Sequence, residues 1–190
     1  MRRLGLATGT ALAIAGLGLL GAGLWMPAKA VLGQALLSRA WEAAAGVATP
    51  WPWADIRPVA RLSAPRLGVS AVVLGSASGE AMAWGPGHIA GTAAPGGEGL
   101  SGIAGHRDSH LAFLAGLRPG DRLEIETPDG AVSAYRVTGA RVVDSRHWRL
   151  PVRLDGRPAL ALSTCWPLDG TGDGPLRFVL FAEATTLPGA

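Results

Sequence analysis

Asp121-Arg122-Leu123-Glu124-Ile125-Glu126-Thr127-Pro128-Asp129-Gly130-Ala131 is the stretch that sets the fold class. Leu123, Ile125 and Thr127 alternate with Arg122, Glu124 and Glu126, the period of two of a strand with one face in the core. Pro128-Asp129-Gly130 is a hairpin turn signal, because glycine takes a positive φ without strain. Residues 131–143 then read as the returning strand. Outward from this hairpin, residues 59–63, 67–74, 100–104, 159–164 and 176–184 give further short apolar or alternating runs bounded by turn residues. Seven such runs predict an all-β barrel or sandwich. Residues 111–117 are the one clear helical turn among them. The 28 glycines and 14 prolines in 190 residues suit a turn-rich β chain better than a helical bundle.

The N-terminal part has a different character. Arg2 and Arg3 precede residues 4–25, which carry no charge. As a helix this run reaches roughly 33 Å, enough to cross a bilayer. The two arginines predict a cytoplasmic start, with the bulk of the chain outside. Ala28-Lys29-Ala30 resembles a signal-peptide cleavage site, but the apolar run exceeds an ordinary signal core, which favours an uncleaved anchor. The expected organisation is an anchor at 1–26, a helical stalk or linker at 27–54 and a β-barrel domain at 55–190. Residues 29–45 read as an amphipathic helix, either stalk or strap, and Gly46 to Pro52 break it. Trp51 and Trp53 suit packing on the domain or a membrane interface. The net charge of +3 comes from dispersed arginines, which argues against nucleic acid as a partner.

Cys165 is the only cysteine. It ends an apolar run and opens the Pro/Gly/Asp-rich stretch 167–175, so it sits at a strand end beside a loop. In an exported domain a single thiol is buried filler, a liability or a nucleophile. A nucleophilic thiol reacts as its thiolate and usually has a histidine or a cation nearby. Of the four histidines, His106 follows the strand 100–104 directly, a position like that of Cys165. Arg177 interrupts the apolar strand 176–184 with a permanent charge, which suits it to stabilise an oxyanion. His106-Arg107-Asp108-Ser109-His110 also spells a metal-ligand spacing, yet no other ligand cluster accompanies it. No metal and no cofactor are expected. Asp108 reads either as a residue that orients His106 or as the cap of the turn at 111–117, the cap being the favoured reading.

These positions, in this order, resemble the sortase family. Gly105-His106-Arg107 is similar to its histidine segment, Leu162-Ser163-Thr164-Cys165 to its Leu-x-Thr-Cys motif, and Arg177-Phe178-Val179 to its arginine strand. Trp84-Gly85-Pro86-Gly87-His88 and Gly91-Thr92-Ala93-Ala94-Pro95-Gly96 look like its upstream loop. The likeness covers about residues 59–183. Trp-Pro after the cysteine and Arg-Asp after the histidine look most like the class GN, Gram-negative sortases. The chain departs from the family pattern at Ala161, often Thr, and at Gly99-Leu100, often Gly-Asn.

The resemblance implies an eight-stranded β-barrel cysteine transpeptidase with short helices. Cys165 would be the nucleophile, His106 the general acid and base, and Arg177 the oxyanion and substrate stabiliser. Thr164, Trp166 and Thr92 would contact substrate. The substrate would be a protein with a Leu-Pro-x-Thr-Gly-like C-terminal sorting signal, the second substrate an amine acceptor. The enzyme would be a single-pass protein of the inner membrane, its catalytic domain facing the periplasm. An L,D-transpeptidase-like cross-linker is the rival enzyme. It lacks support because no His-Gly precedes Cys165. A non-catalytic, membrane-tethered β-domain is the other alternative.

Overall fold

The computed structural model of the chain describes residues 2–44, 56–151 and 155–185. A long helix, α1 (Arg2–Ala44), is followed by β1 (Pro58–Ala64), β2 (Val69–Leu74), α2 (Gly79–Met82), β3 (Gly87–His88), β4 (Leu100–Ala104), β5 (Arg122–Glu126), β6 (Val132–Asp144), β7 (Ala159–Cys165) and β8 (Leu176–Thr185). The eight strands close into one barrel in the order β1-β2-β3-β4-β7-β8-β6-β5. All seven expected strands are present, and the expected barrel is the architecture observed. The eighth strand, β3, is two residues long. It lies parallel to β2 through Leu74 and antiparallel to β4 through Ala104 and Ile103.

The hairpin read from sequence is the β5–β6 pair, with Leu123 opposite Tyr135 and Ile125 opposite Ser133. Gly130 takes φ 83° at its turn, as the Pro-Asp-Gly signal requires. The alternation points Leu123 and Ile125 into a core shared with Leu62, Ile103, Leu160, Leu162 and Leu180. Strand β7 is buried on both faces: Leu160 and Leu162 enter the barrel, while Ala159 and Ala161 lie under Trp148, Leu150 and Phe181. This is why β7 reads as a continuous apolar run rather than an alternating one. The expected helical turn is a 3-10 segment, Ala112–Gly116. It begins without a side-chain cap, so Asp108 does not serve as its cap.

Helix α1 continues without a break across the expected junction between anchor and stalk. Its later part straps the barrel. Leu37 and Trp41 are buried against Val72, Leu74 and Ala81. Gln34 solves a local problem created by the shortness of β3. Val72 has a backbone N–H and C=O on the side of β2 that β3 is too short to reach. The Gln34 side chain accepts from Val72 N at 2.8 Å and donates to Val72 O at 3.3 Å and Trp84 O at 3.0 Å. One amide thus stands in for a missing strand residue. Gly33 permits the approach: a Cβ there would meet the Trp84 ring at 2.9 Å and its carbonyl at 3.1 Å. Among the described residues no helix is long and apolar enough to cross a membrane, so the span expected over residues 4–25 is not shown. The break at Gly46 to Pro52 and the Trp51/Trp53 pair lie outside the described residues.

Candidate active site

Strand register brings the three reactive candidates to one rim of the barrel. Strand β4 runs parallel to β7, with Ala104 beside Ser163. The ladder continues one step further, because Gly105 N donates to Ser163 O at 3.1 Å. His106 therefore leaves β4 at the level where Cys165 ends β7. On the other side β8 runs antiparallel to β7, and Cys165 is opposite Arg177 in the last rung. Neighbouring strands lie about 4.8 Å apart, so Cys165 is flanked closely on both sides. Cross-strand partners share a face, and the inward set on β7 is Leu160, Leu162 and Thr164. Cys165 and Arg177 therefore face outward, and His106, Cys165 and Arg177 are all half-buried.

Thr164 explains how this rim is held. It is 2% exposed, and its hydroxyl donates to Gly105 O at 2.7 Å. The residue before the thiol is tied to the residue before the imidazole. The expected substrate contact by Thr164 is not what the structure shows, since its side chain is turned into the barrel. Trp166 stacks on Phe178, with ring centroids 6.1 Å apart, and closes the barrel mouth next to Cys165. Thr92 lines the groove described below, but its hydroxyl is also the hub of the loop after β3. It donates to Ile89 O at 2.7 Å and accepts from Gly102 N at 3.0 Å. His88 Nε2 lies 2.8 Å from Ala93 O and 3.0 Å from Thr92 Oγ1. The carbonyl requires that Nε2 carry the proton, which gives His88 a structural role.

Arg177 is engaged rather than free. Its Nη1 donates to Gly174 O at 2.7 Å and Leu176 O at 2.9 Å, both in its own approach to β8. Reaching an oxyanion at Cys165 means exchanging those carbonyls for substrate. A groove of about 390 Å³ runs along the outer face of β7 and β8 toward Arg177. Ser163 and Val179 floor it, Thr92 stands on one wall, and Trp148 and Leu150 stand on the other. A second hollow, about 380 Å³, lies between His106, Asp108, His110 and the small residues Gly23 and Ala30 of α1. The larger hollow of about 550 Å³ at Leu100, Ala159 and Glu183 touches none of the three rim groups. Its size is not a guide to the chemistry, and the strand ends are the better one. Burial, and His106 nearby, push the His110 imidazole below its ordinary pKa. Among the described residues no three His, Cys, Asp or Glu side chains are grouped to hold a metal ion.

A thiol, an imidazole and a guanidinium on adjacent strand ends, beside an elongated groove, can attack a carbonyl of an extended peptide, move its proton and stabilise its oxyanion. A sortase-domain family model matches residues 62–185, from β1 to the end of β8.

The chain belongs to the sortase family. Sortase D of Bacillus subtilis strain 168 is 22% identical over 125 residues, which cover 66% of this chain and 63% of that protein. Among solved structures, a sortase D5 transpeptidase of Clostridium perfringens superposes with a TM-score of 0.63 at 19% identity, covering 84% of this chain and 99% of that one. Sortase A of Corynebacterium diphtheriae, as a lid mutant, gives 0.64 at 19% identity, covering 84% and 96%. Sortase C-1 of Actinomyces oris gives 0.58 at 26% identity, covering 70% and 77%. At 19% identity the Clostridium and Corynebacterium structures show a likeness of fold alone. Sequence reasoning missed that Thr164 ties the two strand ends together. The one signal for Thr164 was its even spacing from Leu160 and Leu162.

Proposed function

We propose that this sortase-family chain is a cysteine transpeptidase acting on a Leu-Pro-x-Thr-Gly-like signal at the C-terminus of another protein. The reading rests on one observation: Cys165 ends β7 between the strand end that carries His106 and its direct register partner Arg177. The Cys165 thiolate attacks the signal's threonine carbonyl. Arg177 leaves the Gly174 and Leu176 carbonyls and meets the oxyanion. Collapse breaks the Thr–Gly bond as His106 gives its proton to the leaving amine, and a thioester to Cys165 remains. An acceptor amine then gives a proton to His106, attacks the thioester and releases the thiolate, which restores the starting protonation. No cofactor takes part. The groove beside Trp148 receives the signal, and Trp166 borders the thiol.

The chain is also proposed to be of the class GN type, on the strength of Trp166-Pro167 and Arg107-Asp108. Membrane attachment through residues 4–25, with the barrel on the periplasmic side, is supported by the uncharged run after Arg2 and Arg3. Attachment would bring the site to membrane-held substrates.

Incubation with a Leu-Pro-x-Thr-Gly peptide, followed by intact-mass spectrometry, tests the chemistry. The expected result is an adduct on Cys165 that disappears when an amine is added, with the peptide transferred to that amine. Cys165→Ala and His106→Ala abolish transfer, and Arg177→Ala slows it by about a hundredfold or more, as loss of an oxyanion donor does. Transfer at the wild-type rate by any of the three variants sinks the assignment. Protease accessibility of the barrel in spheroplasts tests the topology, and digestion only after lysis contradicts it.

A further inference from the structure

The loop between β7 and β8 starts one residue after Cys165 and ends two residues before Arg177, so its position sets the surroundings of both. It is short of apolar anchors and rich in Gly, Pro and Asp. Part of its order is internal: Thr171 N and Oγ1 both donate to Asp169 Oδ1, at 3.0 and 2.8 Å. Its base is closed by Trp166 N donating to Leu176 O at 3.1 Å. The body of the loop is held from outside by a residue 60 or more positions away. Arg107 Nη1 donates to Pro167 O at 3.2 Å and to Gly172 O at 2.6 Å, and Nη2 donates to Asp173 Oδ1 at 2.8 Å. The Arg107 side chain is only 14% exposed, whereas that of Asp173 is 98% exposed.

We propose that Arg107 is a positioning residue that clamps the β7–β8 loop to the histidine segment and so keeps the loop seated beside Cys165 while Arg177 changes partners. The two arginines grip different parts of the loop. Arg177 holds its far end through the Gly174 and Leu176 carbonyls, the contacts that must be given up when substrate arrives. Arg107 holds Pro167, Gly172 and Asp173, contacts that no step of the reaction consumes. With Arg107 in place, release of Arg177 leaves the loop seated. Without it, the body of the loop keeps its own turns at Asp169 and Gly170, while outside contacts remain only toward its ends, where Trp166 N meets Leu176 O and Ser145 N donates to Pro175 O at 2.9 Å. The same side chain follows His106 directly, so loop and imidazole are set against one frame. The fork geometry of a guanidinium suits three acceptors in different directions; a lysine ammonium makes a single point contact. The ion pair with Asp173 contributes little, because exposed pairs are screened, and the two carbonyls carry the clamp.

This inference deepens the transpeptidase reading and rests on it only for the kinetic part. The full chain is compared with Arg107→Ala, Arg107→Lys and Asp173→Ala. Hydrogen exchange of the 166–175 amides needs no turnover. Arg107→Ala is expected to speed it about tenfold or more, the size of losing a hydrogen bond from a charged donor, with amides of β5 and β6 unchanged. Arg107→Lys falls between, and Asp173→Ala stays within about twofold of wild type. With a Leu-Pro-x-Thr-Gly peptide, Arg107→Ala raises KM by a similar factor while the fraction of Cys165 that can be acylated at saturation is kept. Unchanged loop exchange in Arg107→Ala overturns the clamp. So does unchanged KM with a loss confined to kcat and melting temperature. A wild-type chain that transfers no peptide fails the transpeptidase reading alone, and the exchange result still decides the clamp.

Discussion

Thr164→Val keeps the shape of the residue before the thiol and deletes one hydroxyl. The wild-type hydroxyl donates to Gly105 O over 2.7 Å, in a place where Thr164 is 2% exposed. The valine leaves that carbonyl without its donor inside the barrel. The net contribution of such a bond is about 1 kcal/mol, but orphaning a buried acceptor costs about 1–3 kcal/mol. The larger figure applies because the site is dry. Taking about 2 kcal/mol, and about 2–4 °C per kcal/mol for a chain of this size, melting falls by about 4–8 °C. The bond also ties the strand end before His106 to the one before Cys165, so peptide transfer is expected to fall further than the folded fraction does. Thr164→Ser keeps the donor and serves as the control. Differential scanning calorimetry and kcat/KM with a sorting-signal peptide, run side by side, make the measurement. A valine variant that melts within about 1 °C of wild type and transfers peptide at the wild-type rate refutes the reasoning.

Other substitutions probe the strap and the titrating groups. Leu37→Ala opens a cavity between α1 and β2 and is expected to cost about 2–5 kcal/mol, read by urea unfolding; Gly33→Val pushes α1 off Trp84 and exposes the same surface to limited proteolysis. His110 is held neutral by burial and by His106, so the unfolded chain binds a proton on this ring near pH 6.5 where the folded chain does not. Stability is therefore present above that pH and is lost as pH falls from about 7 toward 5. The loss should shrink in His110→Leu, and equal losses in the two proteins contradict the assignment. Asp121, hydrogen-bonded by Arg66, is lowered to about 2, so its contribution is present above about pH 4 and disappears as pH falls toward 2. Asp121→Asn should flatten that acid limb in a pH series of melting temperatures.

The strands were legible because most have one buried face and show it as alternation, as in residues 121–127. Strand β7 was legible for another reason, since both its faces are covered and the run is simply apolar. Strand β3 was not, because two residues give no period. It exists only through its neighbours: a Cβ on Gly87 would come within 2.6 Å of Ala77 Cα, so glycine marks the close approach rather than a strand. Cys165, His106 and Arg177 stood out by residue type at strand ends. That they belong together was legible only through the family resemblance, because their meeting depends on β7 lying between β4 and β8, an order set by barrel closure. Thr164 read as a groove residue because it adjoins the thiol, whereas strand pleat turns it inward. Arg107 gave no sequence signal for its role, since its partners are carbonyls of a distant loop.

The parallel pairing of β4 with β7 has a consequence for how the protein matures. Cys165 and Arg177 are joined by a short hairpin-like connection, while Gly105 and Thr164 are 59 residues apart in the chain. Closing the longer loop costs about 1.4 kcal/mol more in chain entropy than closing a twelve-residue one, and long-range strand pairing is the slow part of β folding. The thiol and the guanidinium are therefore the less costly pair to bring together, and the imidazole joins them only when β4 pairs with β7. Until β4 pairs with β7, the chain carries a thiol with no imidazole beside it. The onset of peptide transfer during refolding is therefore expected to follow the β4–β7 pairing rather than the β7–β8 hairpin.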